Sequence, residues 1–306
     1  MTDQTKIVIA GIGGVGGYFG GLLAKKYANS AIQVSFIARG QHLEQIRERG
    51  LTVIKGEESF IAQPYLATDK ANEIGLADYV LICTKNYDLD TIIAQLKPCI
   101  GPQTLILPLL NGIEGAEKIR TLLPQTTVAS GCVYIVSAIK EPGVVENIGH
   151  QQKLFFGIEQ VTDERLTKLE HLLQEAGIEA TLTTTISKII WQKFIFLSSL
   201  ATATSYFDQP VGQLLQTNRE TLAQLITEVT TLAKAKGIAV DAAIMDKSMA
   251  HYESLPDTAT SSMHRDFMAN KQTELESLTG YVVKQGQLLG LDLPTFEKAF
   301  AGLSSK

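Results

Sequence analysis

Residues 11–16 read GIGGVG, which sets Gly11, Gly13 and Gly16 in G-x-G-x-x-G spacing between the apolar run KIVIA and a helix-like stretch. Glycines at these positions allow a tight turn, close backbone approach to a pyrophosphate and close helix packing, and the helix that follows offers free N–H groups to an anion. A glycine turn without a ligand is the plain alternative, but the position between a first strand and a first helix favours a dinucleotide held by Gly11, Ile12, Gly13, Gly14, Val15 and Gly16. The end of the second apolar run chooses between cofactors. A ribose 2′-OH calls for Asp or Glu there, and FIARGQH has instead Arg39, whose guanidinium suits a 2′-phosphate. Arg39 therefore predicts NADP. Lys85, closing the run YVLICTK, either adds a second positive charge to the same crevice or is a solvated lysine at a strand end.

A second group able to do chemistry is Lys193, inside the apolar stretch IIWQKFIFLSSLATATS. An ammonium in a desolvated cleft can stabilise the oxyanion formed when a hydride adds to a ketone, and can then protonate it. A lysine snorkelling from a core helix is the alternative. Lys193, Leu197 and Ala201 follow at i+4 steps, so a substrate whose carbonyl meets Lys193 would lay its carbon skeleton along the other two. Thr202, Thr204 and Ser205 add hydroxyls nearby. His264 lies close to Ser262, but no G-x-S-x-G elbow accompanies them, so His264 reads as an exposed helix histidine rather than a hydrolase base. His42, His150, His171 and His251 lack metal-ligand spacing. Cys83, Cys99 and Cys132 have neither C-x-x-C nor metal spacing and read as reduced core thiols of a cytoplasmic protein.

The elements that must position these residues change character along the chain. Apolar runs at 6–10, 32–38, 51–55, 77–85, 104–110 and 127–136 alternate with helix-like segments, the mark of a parallel sheet covered on both faces. From Gly143 to Gly157 the pattern is strand-like but turn-rich and predicts antiparallel additions at the sheet edge. After about residue 184 only helical runs follow, at 186–205, 217–236, 241–254, 274–289 and 294–303. Gly177, Gly237 and Gly290 stand where helices end in a residue of positive φ. An α/β domain over 1–184 and an all-helical domain over 185–306 are expected, joined near Thr183–Ser187.

Length and composition agree with two medium cores: 306 residues, 45% hydrophobic and 19% charged. A net charge of −5 gives no electrostatic footprint for nucleic acid or an anionic membrane. Lys193 interrupts the best candidate for a membrane span, and the start MTDQTKIVIAG has no signal-peptide core.

In order along the chain, GIGGVGG, ARGQHLEQIRERGL, CTKNYD, LLNGI, IIWQKF, SSMHRDF and KQTELESLTGYVVKQG resemble the ketopantoate reductase (2-dehydropantoate 2-reductase) family. The resemblance implies a Rossmann-type domain followed by a helical one, and NADPH-dependent reduction of ketopantoate to pantoate on the path to pantothenate. It implies that Lys193 is the catalytic lysine and Glu274 the glutamate of the family motif, acting with cofactor and catalysis. It further implies that Asn111 touches cofactor and substrate, that Ser262 contacts substrate, and that Arg39 and Lys85 bind the 2′-phosphate. The partner implied is a small 2-oxo acid, and a homodimer is compatible. Where the family enzyme carries three substrate-holding asparagines, this chain has Leu197, Ala201 and Val211. Two other functions are weighed beside the first: a D-2-hydroxyacid dehydrogenase acting on an apolar branched or aromatic 2-oxo acid, and an NADP-binding sensor without turnover.

Overall fold

The computed structural model describes residues 4–305; Met1, Thr2, Asp3, Lys306 and the side chain of His150 lie outside the described residues. The chain divides between Ile186 and Ser187 into two compact units. The first contains, in order, β1 (Thr5–Ala10), α1 (Gly14–Lys26), β2 (Ile32–Ile37), α2 (Gly40–Arg49), β3 (Leu51–Lys55), β4 (Glu58–Ala62), β5 (Leu66–Thr68) and β6 (Tyr79–Ile82). Then come α3 (Leu89–Leu96), β7 (Leu105–Pro108), α4 (Glu114–Leu122), β8 (Thr127–Val128), β9 (Ser130–Glu141), β10 (Val144–Gly157), α5 (Glu164–Glu175) and β11 (Glu179–Leu182).

A six-stranded sheet runs β5-β2-β1-β6-β7-β8, and its pairings are parallel. Its strands are apolar on both sides because both sides are covered. Ile7 and Ile9 pack with Tyr18, Phe19 and Leu23 of α1, whereas Val8 and Ala10 pack with Leu89, Ile92 and Ile93 of α3. The chain leaves β1 for β2 on one side and returns to β6 on the other. Crevices that hold ligands form at such a reversal, outside the carboxyl ends of the strands.

The segment expected to extend the edge of this sheet forms a separate one. β10 pairs antiparallel with β9, and parallel with β3 near its start and with β11 near its end; β3 and β4 form an antiparallel hairpin. The run at 51–55 therefore belongs to this second sheet. The physical reason lies in α1, which is buried on two opposite sides. A Cβ on Gly20 would come 3.1 Å from Ile9 and Phe36 of the parallel sheet, while Cβ atoms on Gly17 and Gly21 would come 2.6 Å from Val145 and 2.4 Å from Val53 of the second. Alternating apolar side chains of the second sheet need a surface to cover, and glycines give α1 a second flat face.

The second unit is helical: α6 (Ile186–Phe207), α7 (Val211–Thr217), α8 (Arg219–Ala235), α9 (Ile244–Glu253), α10 (Ser262–Met268), α11 (Tyr281–Leu288) and α12 (Pro294–Ser304). A π-helical turn over Glu276–Gly280 leads directly into α11. Helix α8 buries Leu222, Leu225, Ile226, Val229 and Leu232, spaced as one helical face requires. From its partly polar side, Glu228 accepts hydrogen bonds from the backbone N–H groups of Thr295 and Phe296, each 2.9 Å, satisfying the first turn of α12. Gly177, Gly237 and Gly290 have φ of 79°, 77° and 65°, as helix-ending glycines should. Periodicity did not reveal α7 and α10, which have seven residues each and are too short to repeat a pattern.

Candidate active site

Four glycines of the loop after β1 and the first turn of α1 serve different ends. Gly11 has φ +92° and donates its N–H to the Ile37 carbonyl at 3.0 Å, and a Cβ on it would stand 2.7 Å from Thr84. Cβ atoms on Gly14 and Gly16 would meet backbone oxygens of Ser137 at 2.2 Å and of Gly11 at 2.1 Å. These three are demanded by the fold itself. Gly13 is the exception. It caps α1, and a Cβ there would meet nothing within 4 Å among the described residues. The amide end of α1 therefore opens onto free space at Gly13, with no acidic residue in the first helical turn to repel an anion. A pyrophosphate suits that combination of orphan N–H groups and positive helix end. Ile12 points into the core at 4% exposure, and Val15 is half-buried against the same core, so these two shape the loop from below.

The other cofactor candidates follow the ends of neighbouring parallel strands. Arg39 caps α2 just beyond β2, Lys85 precedes a short turn after β6, and Asn111 follows β7. The Asn111 carbonyl accepts from the Asn86 side-chain amide at 2.5 Å, tying the loops after β6 and β7 together. Arg39 is 82% exposed, and its guanidinium meets the carboxylate of Asp88 at 3.3 Å. Asp88 closes the segment CTKNYD, but nothing in the spacing pairs it with Arg39, 49 residues away along the chain.

In the helical unit, Lys193 is half-buried on α6, flanked by the core side chains Trp191 and Phe194. Phe194 packs edge-on against Tyr281 of α11 with ring centroids 5.5 Å apart, which fixes this part of α6. Ile189, Ile190 and Phe196 are only half-buried, so Lys193 sits at the margin of the core rather than inside it. Leu197, one turn on, is also half-buried, but Ala201 and Val211 are closed off at 0% and 1% exposure. The expected carbon-skeleton surface thus shortens to Leu197. Two of the hydroxyls expected beside it are committed elsewhere: Thr202 bonds Thr279 of the π turn at 2.7 Å, and Thr204 bonds Ser261 at 2.9 Å.

Glu274 is 3% exposed and directly precedes the residues that open the π turn. Its carbonyl accepts from Leu278 N–H at 3.1 Å and from the Ser277 hydroxyl at 3.2 Å. Turns of this kind insert a residue into a helix and recur at functional sites. Ser262 opens α10 half-buried, while its neighbour Ser261 caps that helix by accepting from His264 N–H at 3.0 Å. His264 is buried, not exposed as the sequence reading held. Its Nδ1 meets the Thr260 hydroxyl at 2.6 Å and its Nε2 meets Asp208 at 2.8 Å. Asp208, just past α6, has φ +55°. With both ring nitrogens engaged, His264 clamps α10 to the end of α6 and is not a base for Ser262.

Burial pushes the Cys83 thiol up to about 12 and that of Cys99 up to about 11, so both stay protonated near neutrality. Among the described residues no group of three or more His, Cys, Asp or Glu is arranged to hold a metal ion, and no helix is long and apolar enough to cross a membrane.

Comparison with known proteins follows the same two-part division. Residues 7–159 match the family model described as ketopantoate reductase PanE/ApbA, and residues 185–306 match that of its C-terminal part. The chain is 32% identical to the uncharacterized oxidoreductase YkpB of Bacillus subtilis over 97% of each protein. It is 38% identical to the crystal structure of 2-dehydropantoate 2-reductase from Porphyromonas gingivalis, with TM-score 0.87 and coverage of 99% of this chain and 100% of that one. A D-mandelate dehydrogenase, solved with NADH and anilino(oxo)acetate, shares the fold at TM-score 0.85 and 22% identity over 98% of each chain. The chain belongs to the ketopantoate reductase family.

Proposed function

We propose that this member of the ketopantoate reductase family reduces a 2-oxo acid to the 2-hydroxy acid with NADPH, and that 2-dehydropantoate, on the path to pantothenate, is its substrate. The observation that carries the reading is Lys193, a half-buried lysine at the margin of an aromatic core. The glycine loop from Gly11 to Gly16 would hold the pyrophosphate, and Arg39 with Lys85 the 2′-phosphate. Bound there, the dinucleotide would supply a hydride to the carbonyl carbon.

Lys193 then acts on the carbonyl oxygen. As the C=O bond pair moves onto oxygen, the ammonium stabilises the growing charge and gives up one proton to form the alcohol. Glu274, matching the glutamate of the family motif, would place a carboxylate beside Lys193 and favour its charged form. Ser262 and Asn111 supply hydrogen-bonding groups for the substrate, and Asn111 also serves the cofactor. Half-burial of Lys193 suits this task, because the ammonium must be desolvated by substrate yet recover its proton from water afterwards.

Leu197, half-buried one turn beyond Lys193, favours a second reading, a D-2-hydroxyacid dehydrogenase for an apolar branched or aromatic 2-oxo acid. Its side chain cannot pair with a substrate hydroxyl, and an unpaired buried hydroxyl costs about 1–3 kcal/mol. NADPH absorbance should be followed with ketopantoate, 2-oxoisovalerate, 2-oxoisocaproate and phenylglyoxylate side by side. Ketopantoate ahead by more than about a thousandfold in kcat/KM would reject the second reading, since only a dedicated polar contact discriminates that strongly. Comparable or better rates for the other three would reject the first, and no turnover at all would leave the sensor.

A further inference from the structure

An acid is missing from the end of β2, where a ribose 2′-OH would need one, yet the fold brings an acid to that place from elsewhere. Asp88 follows β6, and Arg39 follows β2; β1 lies between those two strands in the sheet. Their 3.3 Å ion pair therefore bridges the end of β1, directly where the glycine loop begins. The Asp88 side chain is one-third exposed at 33% and the Arg39 side chain almost fully so, and both can be reached by a ligand in the crevice. The backbone N–H of Asp88 donates to the Lys85 carbonyl at 3.0 Å, which holds the carboxylate within the turn that also begins at the second candidate phosphate-binding residue.

We propose that Asp88 is a cofactor-specificity residue that weakens the preference for NADPH over NADH. The proposal rests on the assignment of Arg39 to the 2′-phosphate. Two effects of the carboxylate act in the same direction. It neutralises part of the Arg39 charge and repels a phosphate dianion brought to that guanidinium. It also offers an oxygen to a ribose 2′-OH, restoring from β6 the acceptor that β2 lacks. Arg39 alone would give a strongly NADPH-selective crevice, whereas Arg39 with Asp88 gives one able to accept both dinucleotides. The pair is solvent-exposed, so each effect is modest and falls with salt.

The test is Asp88→Asn, which keeps shape and removes charge, with Arg39→Ala and the double variant as companions. Affinities for NADPH and NADH are measured by fluorescence titration without substrate, at low and raised salt, alongside kcat/KM for both cofactors. In Asp88→Asn the NADPH-over-NADH preference should rise roughly three- to tenfold at low salt and less at high salt. In the Arg39→Ala background the same change should gain less, because the neutralisation of Arg39 is gone while the ribose acceptor and the repulsion of phosphate are still removed. An unchanged preference in Asp88→Asn, while Arg39→Ala collapses it, would overturn the proposal and leave the Arg39 assignment standing. Weaker NADPH binding in Asp88→Asn would also overturn it, showing that Asp88 orients Arg39 for the phosphate. If Arg39→Ala leaves the preference untouched, the assignment and the proposal fall together.

Discussion

In the α/β unit the candidate groups lie on loops after adjacent strands, and the most constrained among them are glycines whose missing Cβ atoms would strike backbone oxygens. In the helical unit Lys193, Ser262 and Glu274 come from three separate segments, held by side-chain contacts such as Thr202 with Thr279, Thr204 with Ser261 and His264 with Asp208. The first arrangement is enforced by the main chain, the second by buried hydroxyls and one imidazole. Main-chain enforcement leaves a short, local sequence motif. Side-chain enforcement leaves scattered residues whose purpose appears only when helices are packed.

The comparison is broken most severely at Lys193. Lys193→Met keeps the packing volume and should lower kcat by roughly 10²–10⁴ while NADPH titration is unchanged, since a positioned general acid is worth about that much. Turnover near the parent level would mean a snorkelling lysine and no chemistry in the helical unit. In the other unit, Arg39→Ala should weaken NADPH use by about ten- to a hundredfold and NADH use little. Equal losses with both cofactors would remove Arg39 from the 2′-phosphate.

A finer contrast lies within the loop. Gly16→Ala forces a methyl against the Gly11 carbonyl and should cost about 1–3 kcal/mol of stability, read as a lowered Tm. Gly13→Ala should leave Tm unchanged and weaken dinucleotide binding, because the methyl projects into the space a pyrophosphate would use. A matching fall in Tm for both would show that Gly13 is structural as well. The smallest effect is expected between α6 and the π turn. Thr202→Val and Thr279→Val should each cost about 1 kcal/mol in urea unfolding, and the double variant clearly less than the sum. Strict additivity would mean that their 2.7 Å hydrogen bond contributes nothing.

The parallel strands were legible because burial on both faces leaves unbroken apolar runs such as KIVIA and YVLI, and the glycine loop because its spacing is local. The second sheet was not. β4 is short and mostly exposed, and one of the two sheet partners of β3 is β10, far along the chain. The burial of Ala201 and Val211 was equally hidden, since i+4 spacing names a helix face without saying what covers it. His264 looked exposed because its partners Thr260 and Asp208 become visible only once α10 lies against the end of α6. The pairing of Asp88 with Arg39 escaped notice for the same reason across three strands.

The two-sided burial of α1 carries a consequence for how the protein is made. Glycine loop, helix and Arg39 are all complete by residue 39, and β1 can pair with β2 as soon as both exist. The Ser137 carbonyl that covers Gly14, and the Val145 side chain that covers Gly17, are translated about a hundred residues later. Until β9 and β10 leave the ribosome, the nascent chain leaves much of the second side of α1 exposed, with Gly17 and Tyr18 among the residues awaiting cover. Synthesis of this unit therefore includes a long interval in which the glycine motif is present but unsupported. An amino-terminal fragment ending before β9 would carry the motif without the packing that sets the helix in place.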